Sequence, residues 1–232
     1  MEKSTAPKSK QEPAASSQNE RTGSKYHVRR SSGVSRCSPS FRLSGCYGGY
    51  NAFMELKGKR VAILIDTLYQ EMEVWYPFFR LQEAHVEVSF VAAEAAKTYS
   101  SKLGYPAKSA LSYDQAKTRD YDGVVIPGGY APDHIRRYAK ANQFVRDMNA
   151  EGKLVASICH GPWVLCSADI LKGRRATSFF AIKDDVVNAG AIYEDSEVVV
   201  DGNLVTSRKP EDLPAFCRAS IKVLSAGPVA PK

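Results

Sequence analysis

The sequence predicts an α/β fold, a single doubly wound, mostly parallel sheet sandwiched by helices. Three observations lead there. From Lys57 onward, short apolar runs alternate with longer amphipathic stretches, the order that a parallel sheet with covering helices requires. The runs Arg60–Asp66, His85–Val91, Gly123–Ile126 and Leu154–Ile158 are too apolar to alternate between core and water, as expected of strands buried on both faces. A chain of 232 residues, 44% hydrophobic and 25% charged, has enough apolar material for one large core.

Helices are expected at about 71–84, 132–151 and 161–169 between these strands. Beyond them, Lys172–Thr177 reads as a strand, Ile182–Ala189 as a helix, and Val198–Thr206 as a hairpin turning on Asp201-Gly202-Asn203. A helix over 211–224 closes a domain spanning 54–228, with 229–232 as a tail. Pro77 falls inside the first helix, where it should kink the chain or cost one backbone bond.

Residues 1–53 have a different composition. They hold nine of the 32 Lys/Arg and three of the 25 Asp/Glu, few branched aliphatics and no apolar period. They are expected to be a disordered basic extension, because they cannot offset the entropy of folding. The net charge of +7 is therefore concentrated there, and the near-neutral domain predicts no specific nucleic-acid binding. No run approaches the roughly 18 apolar residues of a membrane span, and no secretory signal is recognisable. A cytoplasmic location is expected. An Arg- and Ser-rich leader could also direct the chain to an organelle, although Glu2, Glu12 and Glu20 depart from the acid-poor composition of transit peptides.

Five cysteines (Cys37, Cys46, Cys159, Cys166, Cys217) at irregular spacings, without a C-x-x-C pair, fit neither a disulfide framework nor a zinc site. With His27, His85, His134 and His160 scattered along the chain, no metal and no cofactor are expected. The Arg174-Arg175 and Arg136-Arg137 pairs are expected at the surface, and Asp184-Asp185 at a helix start, where adjacent side chains do not converge.

The chemistry is expected in Leu154-Val-Ala-Ser-Ile-Cys-His-Gly-Pro-Trp163. Pro162 belongs to the first turn of a helix, which sets Cys159 at the corner between strand and helix. Unpaired N–H groups there favour a thiolate and should lower the thiol pKa, making Cys159 a candidate nucleophile with His160 beside it. The corner resembles a nucleophile elbow, with Ser157 at the position of the first glycine of G-x-S-x-G. The turn Pro127-Gly-Gly-Tyr130 supplies a second element: Gly129 and the His160 amide are candidates for an oxyanion hole. The third is the start of the first helix. Glu71 reads as a solvated cap, whereas Glu73 shares a sheet end with Cys159, where a carboxyl of raised pKa could donate a hydrogen bond to sulfur.

At these residues the chain resembles the PfpI/ThiJ superfamily of deglycases, glyoxalases and proteins classed as intracellular cysteine proteases. The similarity spans about 57–225. It is carried jointly by E-x-E-V-x-Y-P at 71–77, D-G-V-V-I-P-G-G at 122–129, S-I-C-H-G-P at 157–162, L-K-G-R-R-A-T-S at 171–178, K-D-D-V-V-N-A-G-A at 183–191, and the run from Val198 to Phe216. The resemblance implies a flavodoxin-like, class I glutamine amidotransferase-like sheet. It also implies catalytic Cys159, His160 and Glu73, an acid at Asp133 that orients His160 from a neighbouring subunit, and a homo-oligomer, dimeric or hexameric. Where archaeal protease-like members carry Glu and Tyr, this chain has Asp133 and Phe179.

Two enzymatic expectations follow. One is addition of Cys159 to a methylglyoxal-type oxoaldehyde, free or as a protein or nucleotide adduct; the other is peptide hydrolysis by the same Cys-His pair. A third expectation is non-catalytic, an oxidative-stress sensor whose Cys159 is oxidised to a sulfinate.

Overall fold

In the computed structural model, residues 56–229 are described. The expectations for residues 1–53 and the end of the tail lie outside them. Seven strands form one sheet in the order β10-β11-β7-β6-β1-β2-β5. The central strands are β1 (Arg60–Leu64), β6 (Gly123–Ile126) and β7 (Leu154–Ile158). They are flanked by β2 (Glu87–Ala92) and β5 (Leu111–Ser112) on one side, β11 (Leu204–Ser207) and β10 (Val198–Asp201) on the other. All pairings are parallel except β10 with β11. β6, β7 and β11 are buried along their whole length, the polar Ser157, Thr206 and Ser207 included.

Helix α1 (Glu71–Glu83) follows β1 and α3 (Ala139–Ala150) follows β6. The chain moves outward from β1 in one direction and from β6 in the other, so right-handed crossovers put α1 and α3 on opposite faces. α6 (Leu213–Ala226) packs beside α1 and against β7 and β11. On the other face α4 (Pro162–Ser167) lies against α3 and against α2 (Ala131–Ile135), while α5 (Lys183–Asn188) adjoins α4. The sheet order reverses between β1 and β6, and the loops leaving their carboxyl ends border the crevice where such folds place ligands.

Several expected elements change. The helix expected over 132–151 is two helices, because Tyr138 takes an extended conformation (φ −91°, ψ 111°) and the Asn142 side-chain amide caps the Arg136 carbonyl at 2.8 Å. The strand expected over 172–177 shrinks to β8 (Arg175–Ala176), which pairs with β9 (Ile192–Tyr193) outside the main sheet. A hairpin of β3 (Thr98–Ser100) and β4 (Pro106–Lys108) carries no periodic apolar signal, since only Tyr99 and Ala107 of its strands are buried. α1 runs through Pro77, which is buried; the bond lost is the one residue 77 would have donated to the Glu73 carbonyl.

Arg174 is not a surface residue. It is 7% exposed and paired with the equally buried Asp201, Nε to Oδ2 at 2.9 Å, with further bonds to Asn149 and Asn203. Its partners come from the β10–β11 turn and the end of α3, which no local pattern announces. Arg175 is exposed and pairs with Glu194.

Candidate active site

β7 delivers the chain to the elbow and α4 carries it away. Cys159, between them, has φ +62°, a left-handed conformation that a non-glycine residue adopts only when its surroundings hold it there. They do: its N–H donates to the Ser207 carbonyl at 3.0 Å, and its carbonyl accepts from the Phe179 N–H at 2.9 Å. Gly161 completes the turn because a Cβ there would run into the Ile126 carbonyl and Ser157 Oγ. The side chain of Cys159 is thereby aimed back toward the ends of β1 and β6.

Glu73 enters from the first turn of α1. Gln70 caps that helix by accepting the Glu73 N–H at 3.0 Å, so the carboxyl is fixed by its own backbone position. Glu73 is fully buried. Its Oε2 accepts the Gly128 N–H at 2.7 Å and its Oε1 has no hydrogen-bond partner. Burial raises its pKa from the usual carboxylate range to about 7, against the pull of the Gly128 N–H and the thiol.

The Pro127–Tyr130 corner is stitched to the loop after β1. Gln70 N–H bonds to the Gly128 carbonyl at 3.3 Å and Tyr130 N–H to the Leu68 carbonyl at 2.9 Å. Gly129 has φ +78°, and a Cβ there would lie 2.5 Å from the Leu68 carbonyl oxygen, so glycine alone fits. The Gly129 and His160 backbone N–H groups both act on the Cys159 thiol, drawing its pKa down.

The expected lowering of the thiol pKa is not what the site produces. Burial first, then the negative charge of Glu73, push the Cys159 pKa well above the ordinary range, and the Gly129 and His160 amides oppose this without prevailing. α4 has six residues, Cys159 is 7% exposed, and desolvation outweighs so short a helix. At rest the sulfur carries its proton, and the neighbouring carboxyl is the group that titrates near neutrality.

His160 Nδ1 lies 3.2 Å from Sγ. The ring sits between Trp163 (centroids 5.2 Å) and Phe179 (5.0 Å), and burial, then the charge of Lys102, lower its pKa. Cys159, Glu73, His160 and Gly129 are thus brought together. Asp133 is not joined to them within the chain; it is half-exposed and pairs with Arg137. Glu71 is more than a solvated cap, since its carboxyl accepts the Leu103 N–H at 2.5 Å and ties the β3–β4 turn to α1. Trp163 and Phe179 flank the His160 ring; Trp163 belongs to the elbow segment, Phe179 follows the motif at 171–178, and Lys102, whose charge reaches His160, has no local signal. Burial raises the pKa of Cys166 to about 11 and of Cys217 to about 12. Among the described residues, no helix is long and apolar enough to cross a membrane.

The family model described as the DJ-1/PfpI family matches residues 59–223. A deglycase of Pyrococcus horikoshii is 45% identical over 165 residues, covering 71% of this chain and 99% of that protein. The protein/nucleic acid deglycase 2 of Escherichia coli is 40% identical over 170 residues, covering 72% and 99%. The crystal structure of Drosophila melanogaster DJ-1beta matches with a TM-score of 0.68 at 26% identity, over 72% of this chain and 90% of that one. With the motifs, the parallel sheet and these matches in agreement, the chain belongs to the DJ-1/PfpI family.

Proposed function

We propose that this protein is a cysteine-dependent enzyme that converts methylglyoxal-type oxoaldehydes, free or as adducts on proteins and nucleotides, to lactate. The observation that carries the reading is that the buried Glu73 carboxyl, the Cys159 side chain and the His160 backbone N–H meet around Gly128, with His160 Nδ1 3.2 Å from the sulfur. The deglycase names of the relatives support it.

In this reading Cys159 Sγ attacks the aldehyde carbon as its proton passes to ionised Glu73, whose pKa near 7 suits a base at neutral pH. The carbonyl oxygen becomes an alkoxide that accepts from the Gly129 and His160 amides and then takes a proton, leaving a thiohemiacetal. Glu73 or His160 Nδ1 moves the proton from the former aldehyde carbon to the neighbouring carbon through an enediol, which yields a lactoyl thioester. Water cleaves the thioester and restores the thiol. The net reaction adds one water to the oxoaldehyde. For an adduct, loss of the protein or nucleotide amine takes the place of a preformed free aldehyde.

The test is D-lactate formation from methylglyoxal by purified protein, run beside cleavage of a fluorogenic peptide, for wild type and Cys159→Ser. Lactate lost in the variant supports the reading. Peptide cleavage without lactate would replace it with a peptidase, and lactate persisting in the variant would remove the nucleophile.

A further inference from the structure

The two rings that enclose the His160 imidazole are held in different ways. Phe179, with its ring centre 5.0 Å from that of His160, is fixed by main chain, because its N–H donates to the Cys159 carbonyl at 2.9 Å. Trp163, 5.2 Å away and inclined at 67° to the imidazole, is fixed through its side chain. Its indole Nε1–H donates to Asp185 Oδ2 at 2.9 Å, and the Arg136 guanidinium lies over the same ring, 5.7 Å from its centre. Arg136 is held in turn by Ser167 Oγ, which accepts from its Nε at 2.9 Å.

Asp185 is an exposed residue in the first turn of α5, where the sequence reads only a helix start. Its main chain also meets α4, since its carbonyl accepts from Cys166 Sγ at 3.7 Å, three residues beyond Trp163. A change at the carboxylate therefore removes the bond to the indole and leaves this backbone contact in place. The path to the sulfur is continuous: Asp185 bonds to the indole, the indole packs against the imidazole, and His160 Nδ1 lies 3.2 Å from Cys159 Sγ. The χ2 wells of Trp and His are broad, so neither ring fixes its own plane, and a locked neighbour must do so.

We infer that Asp185 is a positioning residue: by accepting the Trp163 indole N–H, it holds the His160 imidazole with Nδ1 against the Cys159 sulfur. Its effect on lactate formation rests on the function proposed above; the positioning itself does not.

Alkylation of Cys159 by iodoacetamide, followed by mass spectrometry of the peptide that carries it, reads the sulfur without the proposed reaction. Sγ bonds to the methylene carbon, iodide leaves and the thiol proton passes to the buffer. An imidazole displaced from the sulfur no longer helps it lose that proton. The rate is expected to fall about three- to tenfold in Asp185→Ala, the worth of one hydrogen bond. It should stay within about twofold of wild type in Asp185→Asn, whose amide oxygen still accepts the indole N–H. Trp163→Phe keeps a ring and loses the donor, so it should match Asp185→Ala, and the double variant should fall no further than either. No fall in Asp185→Ala, an equal fall in Asp185→Asn, or additive falls in the double variant overturn the inference.

Indole motion is read separately. The chain has two tryptophans, so in a Trp75→Phe background the decay of fluorescence anisotropy reports Trp163 alone. A fast component is expected in Asp185→Ala and not in Asp185→Asn; an indole equally rigid in both overturns the inference. For lactate formation from methylglyoxal, kcat is expected to fall about three- to tenfold in Asp185→Ala with KM unchanged, and to be kept in Asp185→Asn. A raised KM with kcat unchanged would overturn positioning in favour of substrate binding. Alkylation and anisotropy as expected, with no lactate even from wild type, would uphold the role of Asp185 and refute the proposed reaction.

Discussion

The Glu73 carboxyl and the Cys159 side chain meet across a residue with no side chain: a Cβ built on Gly128 would lie 2.6 Å from Glu73 Oε2 and 2.7 Å from Cys159 Cβ. Gly128→Ala must therefore displace one or both. The substitution is expected to cut lactate formation at least about tenfold and to cost about 1–3 kcal/mol in urea denaturation, the usual penalty of overpacking. Full activity in this variant would mean that the two groups need not be close.

Glu73→Gln should stabilise the fold in a pH-dependent way. The folded carboxyl has a pKa of about 7, above its unfolded value of 4.5, so its protonated form is the one the fold accommodates. Wild type therefore loses stability as pH rises from the unfolded value through the folded one. The variant, neutral throughout, should match wild type near pH 4 and exceed it by up to ~3 kcal/mol at pH 8. Urea titrations at several pH values check this; a flat difference would contradict the raised pKa.

Activity should follow the opposite limb. Because ionised Glu73 is the base, kcat/KM for methylglyoxal is expected to rise with pH through about 7, and Glu73→Gln to lose that limb together with about a hundredfold in rate. A fall in kcat/KM between pH 6 and 8 would instead assign the reaction to the protonated carboxyl.

Arg174→Met removes the buried guanidinium that bonds Asp201, Asn149 and Asn203, breaking a buried ion pair. A loss of about 3–5 kcal/mol is expected in urea denaturation. The rate of Cys159 alkylation by iodoacetamide in the folded variant should be unchanged, because Arg174 bonds to the β10–β11 turn and not to the elbow.

The site was largely legible in sequence because three of its parts are local. Strand followed by Cys-His-Gly-Pro makes an elbow, strand followed by Pro-Gly-Gly makes an amide-lined turn, and a glutamate in the first turn of a helix points back over the preceding strand end. Lys102 escaped because it sits on a hairpin with two buried strand residues, too few to form a period. Arg174 escaped because burial of an arginine depends on partners supplied 25 or more residues away. The split of the helix expected over 132–151 was equally invisible, since neither Gly nor Pro marks the extended Tyr138.

Hydrophobic periodicity and turn chemistry, which act over a few residues, were enough to determine a parallel α/β sheet and to nominate Cys159, Glu73, His160 and Gly129. The protonation state was decided only by the tertiary structure. A helix terminus favours a thiolate, but closing β1, β6 and β7 around the sulfur removes its water and sets a second acid beside it. Desolvation depends on everything packed around an atom, and the residues adjoining it in the chain are a small part of that.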